Sequence, residues 1–241
     1  MANGLVTKSD CAGGGLIEIS DLSFSYGINR HVLFRHLTLT LLPGGCVALM
    51  GSSGSGKSTL AKLLQGLYLP TEGQIKIDNR DIRYLAANEL RGYFGTVPLE
   101  TMLISGTIYE NVTIANRNAN FEQVLQACRW ADIHNDINRL PNGYQTSIGE
   151  HGMGLSDEQK VRLAVARALM KQPKILIFDE ATSSLDLPAA ERLALTVNQL
   201  KRCATILFIT HQLPQSLDVD EVVTLGASAN AKQKGFVLDD Q

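Results

Sequence analysis

Three segments near the N-terminus alternate between apolar and polar residues. They are residues 16–20, 37–42 and 74–78. A period of two is typical of strands that bury only one face, and such strands usually pair in antiparallel sheets. We therefore predict an antiparallel β edge in the first part of the chain.

Three other segments are continuous apolar runs rich in Ile, Leu and Val. They are residues 46–50, 174–179 and 205–209. Runs of this kind are typical of central parallel strands that are covered on both faces. After the first run, a Gly/Ser loop leads into a set of leucines with the i, i+3, i+4, i+7 spacing of one helix face: Leu60, Leu63, Leu64 and Leu67. The pattern predicts an α/β core in which strand, loop and helix follow one another.

The middle of the chain, from about residue 96 to 170, contains no pattern typical of a central strand, and we interpret it as a helical subdomain. Residues 121–131 have a helical pattern. A second helix is expected to begin near Ser156, because Ser156 and Gln159 can form a capping box. Its buried stripe would consist of Val161, Ala164, Val165, Ala168 and Leu169.

Composition and charge exclude several classes of protein. Of 241 residues, 44% are hydrophobic and 19% charged, which is too apolar for a disordered chain. The formal net charge of −2 lacks the strong basic bias that is usual in nucleic-acid binders, so no nucleic-acid partner is expected. The apolar runs fall far short of the roughly 18–20 residues that cross a bilayer. We expect a flexible leader in residues 1–15, followed by one domain in residues 16–241 that is soluble when isolated.

A glycine-rich segment lies between the first apolar run and the leucine helix, and it matches the pattern GxxxxGK[ST]. Its residues are Gly51, Ser52, Ser53, Gly54, Ser55, Gly56, Lys57 and Ser58. Glycines let backbone N–H groups converge on phosphate oxygens, Lys57 supplies a positive charge, and the Ser58 hydroxyl can ligate Mg²⁺. A flexible Gly/Ser hairpin is the alternative, but it leaves the placement of Lys57 and Ser58 unexplained.

Two carboxylates, Asp179 and Glu180, follow directly on the second apolar run. Ligands of open α/β sheets collect at the carboxyl ends of the strands. Asp179 is therefore a candidate Mg²⁺ partner, and Glu180 a candidate to polarise an attacking water. The alternative is an acidic pair that caps a helix.

From about Ile17 to Leu225, the sequence resembles the nucleotide-binding domains of ATP-binding-cassette (ABC) exporters, such as peptide and toxin secretion transporters. Residues 179–186 resemble the Walker B motif running into the D-loop of that family, and residues 209–211 its switch-histidine segment. Residues 105–111 and 146–150 resemble exporter sequences in particular. The resemblance implies a P-loop NTPase core that uses ATP and Mg²⁺, with D-loop residues Ser184, Leu185 and Asp186.

The resemblance also implies roles for single residues. Thr59 would join the phosphate-binding residues, and His211 would contact the γ-phosphate, although a single histidine is more often structural. Tyr26 aligns with the aromatic residue that stacks on adenine in this family. A lone tyrosine more often packs at the edge of a core, so this role depends on the resemblance.

Two segments depart from the family pattern. The signature LSGGQ is replaced by Leu155, Ser156, Asp157, Glu158 and Gln159. The family uses this segment to cap ATP held by the opposite protomer. A carboxylate about 5 Å from one phosphate charge would repel it by about 3 kcal/mol at an effective dielectric near 20. This exceeds the roughly 0.3–1 kcal/mol that an acid contributes at a helix start. We therefore expect the isolated chain to dimerise poorly, and restoration of both glycines to raise dimerisation and turnover.

The second departure is Leu99, which stands where exporters have a glutamine that contacts Mg²⁺ and the membrane domain. Leucine cannot ligate a metal, and the adjacent Glu100 is a candidate replacement.

These observations favour the ATPase domain of an ABC exporter. It would pair head-to-tail around MgATP with a second nucleotide-binding domain, either identical or with an intact signature, on the cytoplasmic side of the inner membrane. Transmembrane domains encoded elsewhere would select the cargo. The alternative is a nucleotide-binding regulatory module with little hydrolysis, which the altered signature and Leu99 favour. A P-loop kinase for small molecules is disfavoured, because it would need neither the D-loop nor the signature-like helix.

Overall fold

The computed structural model describes residues 13–27, 32–201 and 203–226, and the backbone of residues 232–234. Most of the expected leader lies outside the described residues. The strands are β1 (Ile17–Ser25), β2 (Val32–Leu41), β3 (Cys46–Gly51), β4 (Glu72–Ile77), β5 (Arg80–Asp81), β6 (Phe94–Val97), β7 (Gly106–Thr107), β8 (Ser147–Ile148), β9 (Ile175–Asp179), β10 (Thr205–Ile209), β11 (Glu221–Leu225) and β12 (Lys232–Lys234). The α-helices are α1 (Lys57–Leu64), α2 (Ala87–Tyr93), α3 (Ile108–Thr113), α4 (Phe121–Trp130), α5 (His134–Arg139), α6 (Asp157–Leu169) and α7 (Leu187–Leu200).

The central sheet has six strands in the order β12-β11-β3-β10-β9-β6. All neighbours pair in parallel except β11 and β12. Successive residues of β10 enter two different hydrophobic clusters, Phe208 on one face and Leu207 on the other. The sheet is therefore covered on both sides, and the predicted α/β fold with its continuous apolar strands is confirmed.

A second sheet, in the order β2-β1-β4-β5, is antiparallel throughout. It confirms the predicted antiparallel edge, and its apolar face packs over the side of the central sheet that carries α1. Strand β1 continues to Ser25, further than the alternation predicts. Its pairing register shifts after Ile19, where Asp21 has a φ of +53°, and a bulge of this kind breaks the period of two.

Helix α1 is shorter than its leucine spacing predicts. It ends at Leu64, and Gly66 follows with a φ of +70°. The positive φ favours glycine here, and a Cβ on Gly66 would also lie 2.5 Å from a methyl carbon of Leu90, which would have to shift. The chain therefore turns away, and Leu67 is 59% exposed instead of extending the buried face.

Helices α3 to α6 pack together on the opposite side of the central sheet from α1. Helix α6 begins after Ser156 with the predicted capping box, and its predicted apolar stripe is buried. One strand at the boundary was missed: β6 starts at Phe94 and joins the sheet beside β9. It is four residues long and contains Gly95 and Thr96, which explains why no apolar run indicates it. The boundaries of a helical subdomain stay a prediction.

Across the ranges that the structure describes, every helix is too short or too polar to cross a membrane.

Candidate functional site

Three parallel strands of the central sheet end side by side, and the candidate residues follow them. Strand β10 lies between β3 and β9, and its last residue, Ile209, is paired with Leu49 on one side and Asp179 on the other. The segments after these strands therefore emerge at one edge of the sheet. Although they are up to 160 positions apart along the chain, Gly51, Glu180 and His211 belong to one site.

The Gly51–Ser58 segment, hereafter the P-loop, passes from β3 into α1 through two positions that only glycine can fill. A Cβ on Gly51 would lie 2.6 Å from Ser55 Oγ and 2.7 Å from the carbonyl oxygen of Leu225. Gly56 has a φ of +98°, and a Cβ there would lie 2.7 Å from the ring of Phe34. The loop is therefore held as a tight turn at the N-terminus of α1, where backbone N–H groups favour an anion.

Lys57 is buried beneath this loop, with 4% of its side chain exposed. Its Nζ donates hydrogen bonds to the carbonyl oxygens of Gly51 (2.9 Å) and Ser52 (3.1 Å) and lies 3.4 Å from Glu180 Oε1. These acceptors satisfy the buried ammonium and fix its position. The arrangement places a full positive charge where the P-loop can receive phosphate.

Ser58 and Asp179 form a pair of oxygen donors beside the P-loop. The Ser58 hydroxyl donates to Asp179 Oδ1 at 3.0 Å. Burial raises the pKa of Asp179, while the hydrogen bond from Ser58 opposes this rise. Hydroxyl and carboxylate oxygens are ligands that Mg²⁺ prefers, so this pair fits the metal that accompanies a nucleotide.

Ser55 provides a second observation that fits a phosphate ligand. Its Oγ is buried and has no hydrogen-bond partner among the described residues. Buried hydroxyls are usually paired, and an unpaired one is costly. A phosphate oxygen in the P-loop would give this hydroxyl an acceptor.

Glu180 lies between His211 and Lys57. Its Oε1 is 2.8 Å from His211 Nε2 and 3.4 Å from Lys57 Nζ. The backbone of Glu180 has a φ of +54°, which is rare for a residue with a side chain. Its N–H donates to the carbonyl oxygen of Ile209 (2.9 Å), and its own carbonyl oxygen accepts from Ser183 Oγ (2.6 Å). Strained backbone held by surrounding hydrogen bonds is frequent at functional sites.

Tyr26 is held against the P-loop helix by its hydroxyl group. The oxygen lies 2.8 Å from Thr59 Oγ1. The ring is edge-on to Phe24, with centroids 5.0 Å apart, and edge-on to Tyr68, with centroids 5.2 Å apart. Sequence analysis missed Tyr68, which lies in the loop after α1 and has no periodic pattern that would mark it. The candidate adenine-stacking residue is therefore one member of an aromatic cluster.

The signature segment, Leu155–Gln159, shows a division between its two acids. Asp157 has 62% of its side chain exposed and contacts Lys160 Nζ at 3.1 Å. Glu158 is turned toward α7, where Arg192 donates to both of its oxygens (2.9 and 2.6 Å), and Arg162 Nη2 lies 2.8 Å from Oε1. Two arginines thus compensate the charge of Glu158, and the expectation that both acids repel a phosphate of the opposite protomer stays a prediction. Among the described residues, the ion pairs of this segment run to α6 and α7 and not to the P-loop.

The candidate D-loop residues lie at the start of α7. Asp186 is the N-cap, and its side chain accepts from the N–H of Ala189 at 2.9 Å. Leu185 is half-buried against the core of α3 to α6, and Ser184 is exposed. Asp186 therefore has a structural role as the cap of α7, and its role toward a second nucleotide stays a prediction.

Leu99 and Glu100 follow β6 in an exposed loop. Leu99 is 46% exposed, and Glu100 is exposed as well. Among the described residues, no hydrogen bond or ion pair joins Glu100 to Ser58 or Asp179. The structure therefore does not bring Glu100 into the candidate metal site, and its replacement of a glutamine stays a prediction.

Comparisons with known proteins find similarity over most of the chain. The sequence profile of the family described as ABC transporter matches residues 34–183. The alpha-hemolysin translocation ATP-binding protein HlyB of Escherichia coli is 36% identical over 94% of this chain and 31% of its own length. The mitochondrial iron-sulfur clusters transporter ATM1 of Chaetomium globosum is 41% identical over 88% of this chain and 35% of its own length.

Among solved structures, a bacterial Atm1-family ABC exporter with ATP bound superposes with a TM-score of 0.83 at 36% identity. The match covers 92% of this chain and 39% of the exporter chain. The chain thus spans about a third of the length of the curated relatives named above.

Proposed function

Because the chain belongs to the ABC transporter family, as an ATP-binding domain of the exporter type, we propose that it binds and hydrolyses MgATP at the shared edge of β3, β9 and β10. The observation that carries this proposal is the convergence of Lys57, the Ser58–Asp179 pair and the Glu180–His211 pair at that edge.

The binding step follows from the charges of the P-loop. The β and γ phosphates would accept hydrogen bonds from the loop N–H groups and from Lys57, and the buried Ser55 hydroxyl would gain its missing partner. Ser58 and Asp179 would hold Mg²⁺, which would neutralise part of the phosphate charge. Tyr26 would stack on adenine, with its ring fixed by Thr59.

Hydrolysis would depend on Glu180 and His211. In the proposed reaction the oxygen of a water forms a bond to the γ-phosphorus while the bond from that phosphorus to the leaving ADP oxygen breaks. The Glu180 carboxylate orients this water and accepts a hydrogen bond from it. His211, which contacts the same carboxylate, would turn one N–H toward a γ-phosphate oxygen.

Two kinds of partner are part of the proposal. A second nucleotide-binding domain, identical or with an intact signature, would face Ser156 and its neighbours across the bound ATP. The second partner would be the transmembrane domains. The chain would dock on them at the cytoplasmic side of the membrane, and they would couple ATP use to export. Three exposed apolar residues in the loop after β6 support the second partner: Leu99, Met102 and Ile104.

A regulatory module that binds ATP but hydrolyses little is the second candidate. Asp157 in the signature favours it, because this acid is exposed at the surface offered to a partner. ATP turnover of the chain alone, compared with turnover after mixing with a domain of intact signature, separates the two candidates. A rate that rises on mixing supports the transport ATPase, and a rate that stays near background in both supports the regulatory module.

Calorimetric titration with MgATP tests the site itself. We expect Lys57→Ala to weaken binding by about a hundredfold or more, because a buried charge-assisted donor is lost. Glu180→Gln should retain ATP and stop turnover, because only the transition state needs the oriented water. Lys171→Ala is the matched control, an exposed lysine at the end of α6. Equal affinity of wild type and Lys57→Ala would refute the assignment.

A further inference from the structure

Glu158 replaces a glycine of the ABC signature, and it is the centre of an ion-pair cluster. Arg192 of α7 forms a two-pronged contact with it, through Nε at 2.9 Å and Nη2 at 2.6 Å. Such bidentate pairs fix orientation as well as distance. The Glu158 side chain is 23% exposed, so the contact is partly shielded from water.

The second arginine of the cluster is buried. Arg162 has 7% of its side chain exposed, lies one turn after Glu158 on α6, and approaches it to 2.8 Å. Its Nη1 donates to the carbonyl oxygen of Asp132 at 2.6 Å and lies 3.0 Å from the Asp132 carboxylate, with Asp136 at 4.0 Å. The cluster thus connects α6 with α7 and with the turn between α4 and α5. A glycine at position 158 would leave both arginines without this acceptor.

The contact joins two helices that begin at functionally related segments. Ser156 caps α6 and Asp186 caps α7, and these caps belong to the candidate signature and D-loop. The residues just before the caps, Leu155 and Leu185, pack on the same hydrophobic cluster. The Glu158–Arg192 pair therefore joins the first turn of α6 to the second turn of α7, across 34 positions of sequence.

We propose that Glu158 is a positioning residue: through Arg192 it fixes the N-terminus of α6 relative to that of α7, so that the signature and D-loop segments form one rigid surface for a second nucleotide-binding domain. The proposal rests on the proposed function for its consequence, but the link between the helices is testable without a nucleotide. On this view the acid at position 158 does not repel the partner's phosphate, and Asp157 alone carries that charge to the surface.

Hydrogen exchange tests the link directly on the chain without ATP. The informative amides are those of Gln159 and Lys160, which bond to Ser156, and of Ala189 and Ala190, which bond to Asp186. We expect Arg192→Gln on α7 to accelerate exchange at the α6 amides by about five- to tenfold, because the start of α6 loses its ion pair with α7 and opens more often. Glu158→Gln should accelerate the α7 amides similarly, and addition of Arg192→Gln to it should add little, because Arg192 has then already lost its acceptor.

Two further variants serve as controls. Arg129→Gln removes an exposed arginine whose pair with Glu122 stays within α4, at 3.9 Å, so it should leave the α6 and α7 amides unchanged. Arg192→Lys retains the charge without the two-pronged geometry and should restore exchange only partly. Unchanged exchange at the α6 amides in Arg192→Gln, or additive effects in the double variant, would overturn the proposal.

The consequence for assembly is measured separately in the Glu180→Gln background, at concentrations where the parent protein is partly dimeric with MgATP. Arg192→Gln should raise the dimer dissociation constant by about fivefold or more while leaving ATP affinity, measured well below the melting temperature, close to the parent value. If ATP affinity falls together with dimerisation, the pair is merely structural and the proposal fails. If the parent does not bind ATP, the proposed function fails, whereas the exchange result still decides the link.

Discussion

Removal of the charge of Asp157 should strengthen ATP-dependent dimerisation of this domain. Asp157→Asn is the informative change, because it retains the size and hydrogen-bonding shape of the side chain. Asp157 is the first residue of α6 and has 62% of its side chain exposed, so it is the acid that a partner's nucleotide would meet.

The size of the gain in association depends on the repulsion between Asp157 and the phosphate and on how far Lys160 offsets it. A carboxylate about 5 Å from one unit of phosphate charge costs about 3 kcal/mol at an effective dielectric near 20. The ammonium of Lys160, 3.1 Å from Asp157, offsets part of this cost. If it offsets about half, roughly 1.5 kcal/mol remains per site, which is about tenfold in association and about a hundredfold for a symmetric dimer with two sites.

Light scattering against protein concentration, with MgATP in the Glu180→Gln background, measures this gain. Glu122→Gln is the matched control, since it removes an exposed acid of α4 that lies away from the signature. Lys160→Gln should act in the opposite direction, because it removes the compensating charge. The helix loses about 0.3–1 kcal/mol of folding stability in Asp157→Asn, and this loss does not enter the association equilibrium.

The effect of Asp157→Asn on dimerisation should also depend on salt concentration. The advantage of Asp157→Asn should shrink as ionic strength rises, because exposed charges are screened over about 10 Å at 0.1 M. If Asp157→Asn dimerises no better than its parent at low salt, the carboxylate does not face a phosphate, and the electrostatic account of the altered signature is wrong.

Three further predictions concern the neighbouring contacts. Tyr26→Ala should weaken ATP binding by about 1–3 kcal/mol without changing the affinity for inorganic triphosphate. The ATP affinity of Tyr26→Phe should lie between those of wild type and Tyr26→Ala, because this variant loses only the contact with Thr59. Calorimetry with both ligands checks this. Arg192 holds the pKa of Glu158 below its ordinary value of 4.5, so the pair stabilises the fold at neutral pH. The melting-temperature difference between wild type and Glu158→Gln should therefore be constant near neutral pH and shrink as the pH falls below about 5. Asp157→Gly should improve dimerisation more than the double change with Glu158→Gly, which removes the acceptor of a buried arginine; the same scattering assay compares them.

Most residues of the candidate site could be predicted from the sequence, because their positions depend on the order and spacing of neighbouring elements along the chain. A strand, a glycine loop and a helix at fixed spacing place Lys57 and Ser58, and a buried strand places Asp179 at its end. The partners of Glu158 were not predictable in this way. Arg192 lies 34 positions away on another helix, and nothing in the spacing of residues 155–159 indicates which way a carboxylate turns. The aromatic contact of Tyr68 with Tyr26 was missed for the same reason, since a loop after α1 has no periodicity to orient it.

The different fates of the two signature acids follow from the geometry of the helix they begin. Successive residues of an α-helix point about 100° apart, and residues three or four positions apart share a face. Asp157 therefore pairs with Lys160 on the open face, whereas Glu158 lies above Arg162 on the face that meets α7. One acid can meet a partner's nucleotide, and the other stabilises the surface on which that nucleotide would rest. Two neighbouring acids in the same glycine motif thus have opposite expected effects on assembly. One residue step along the helix turns Glu158 toward α7 and leaves Asp157 exposed.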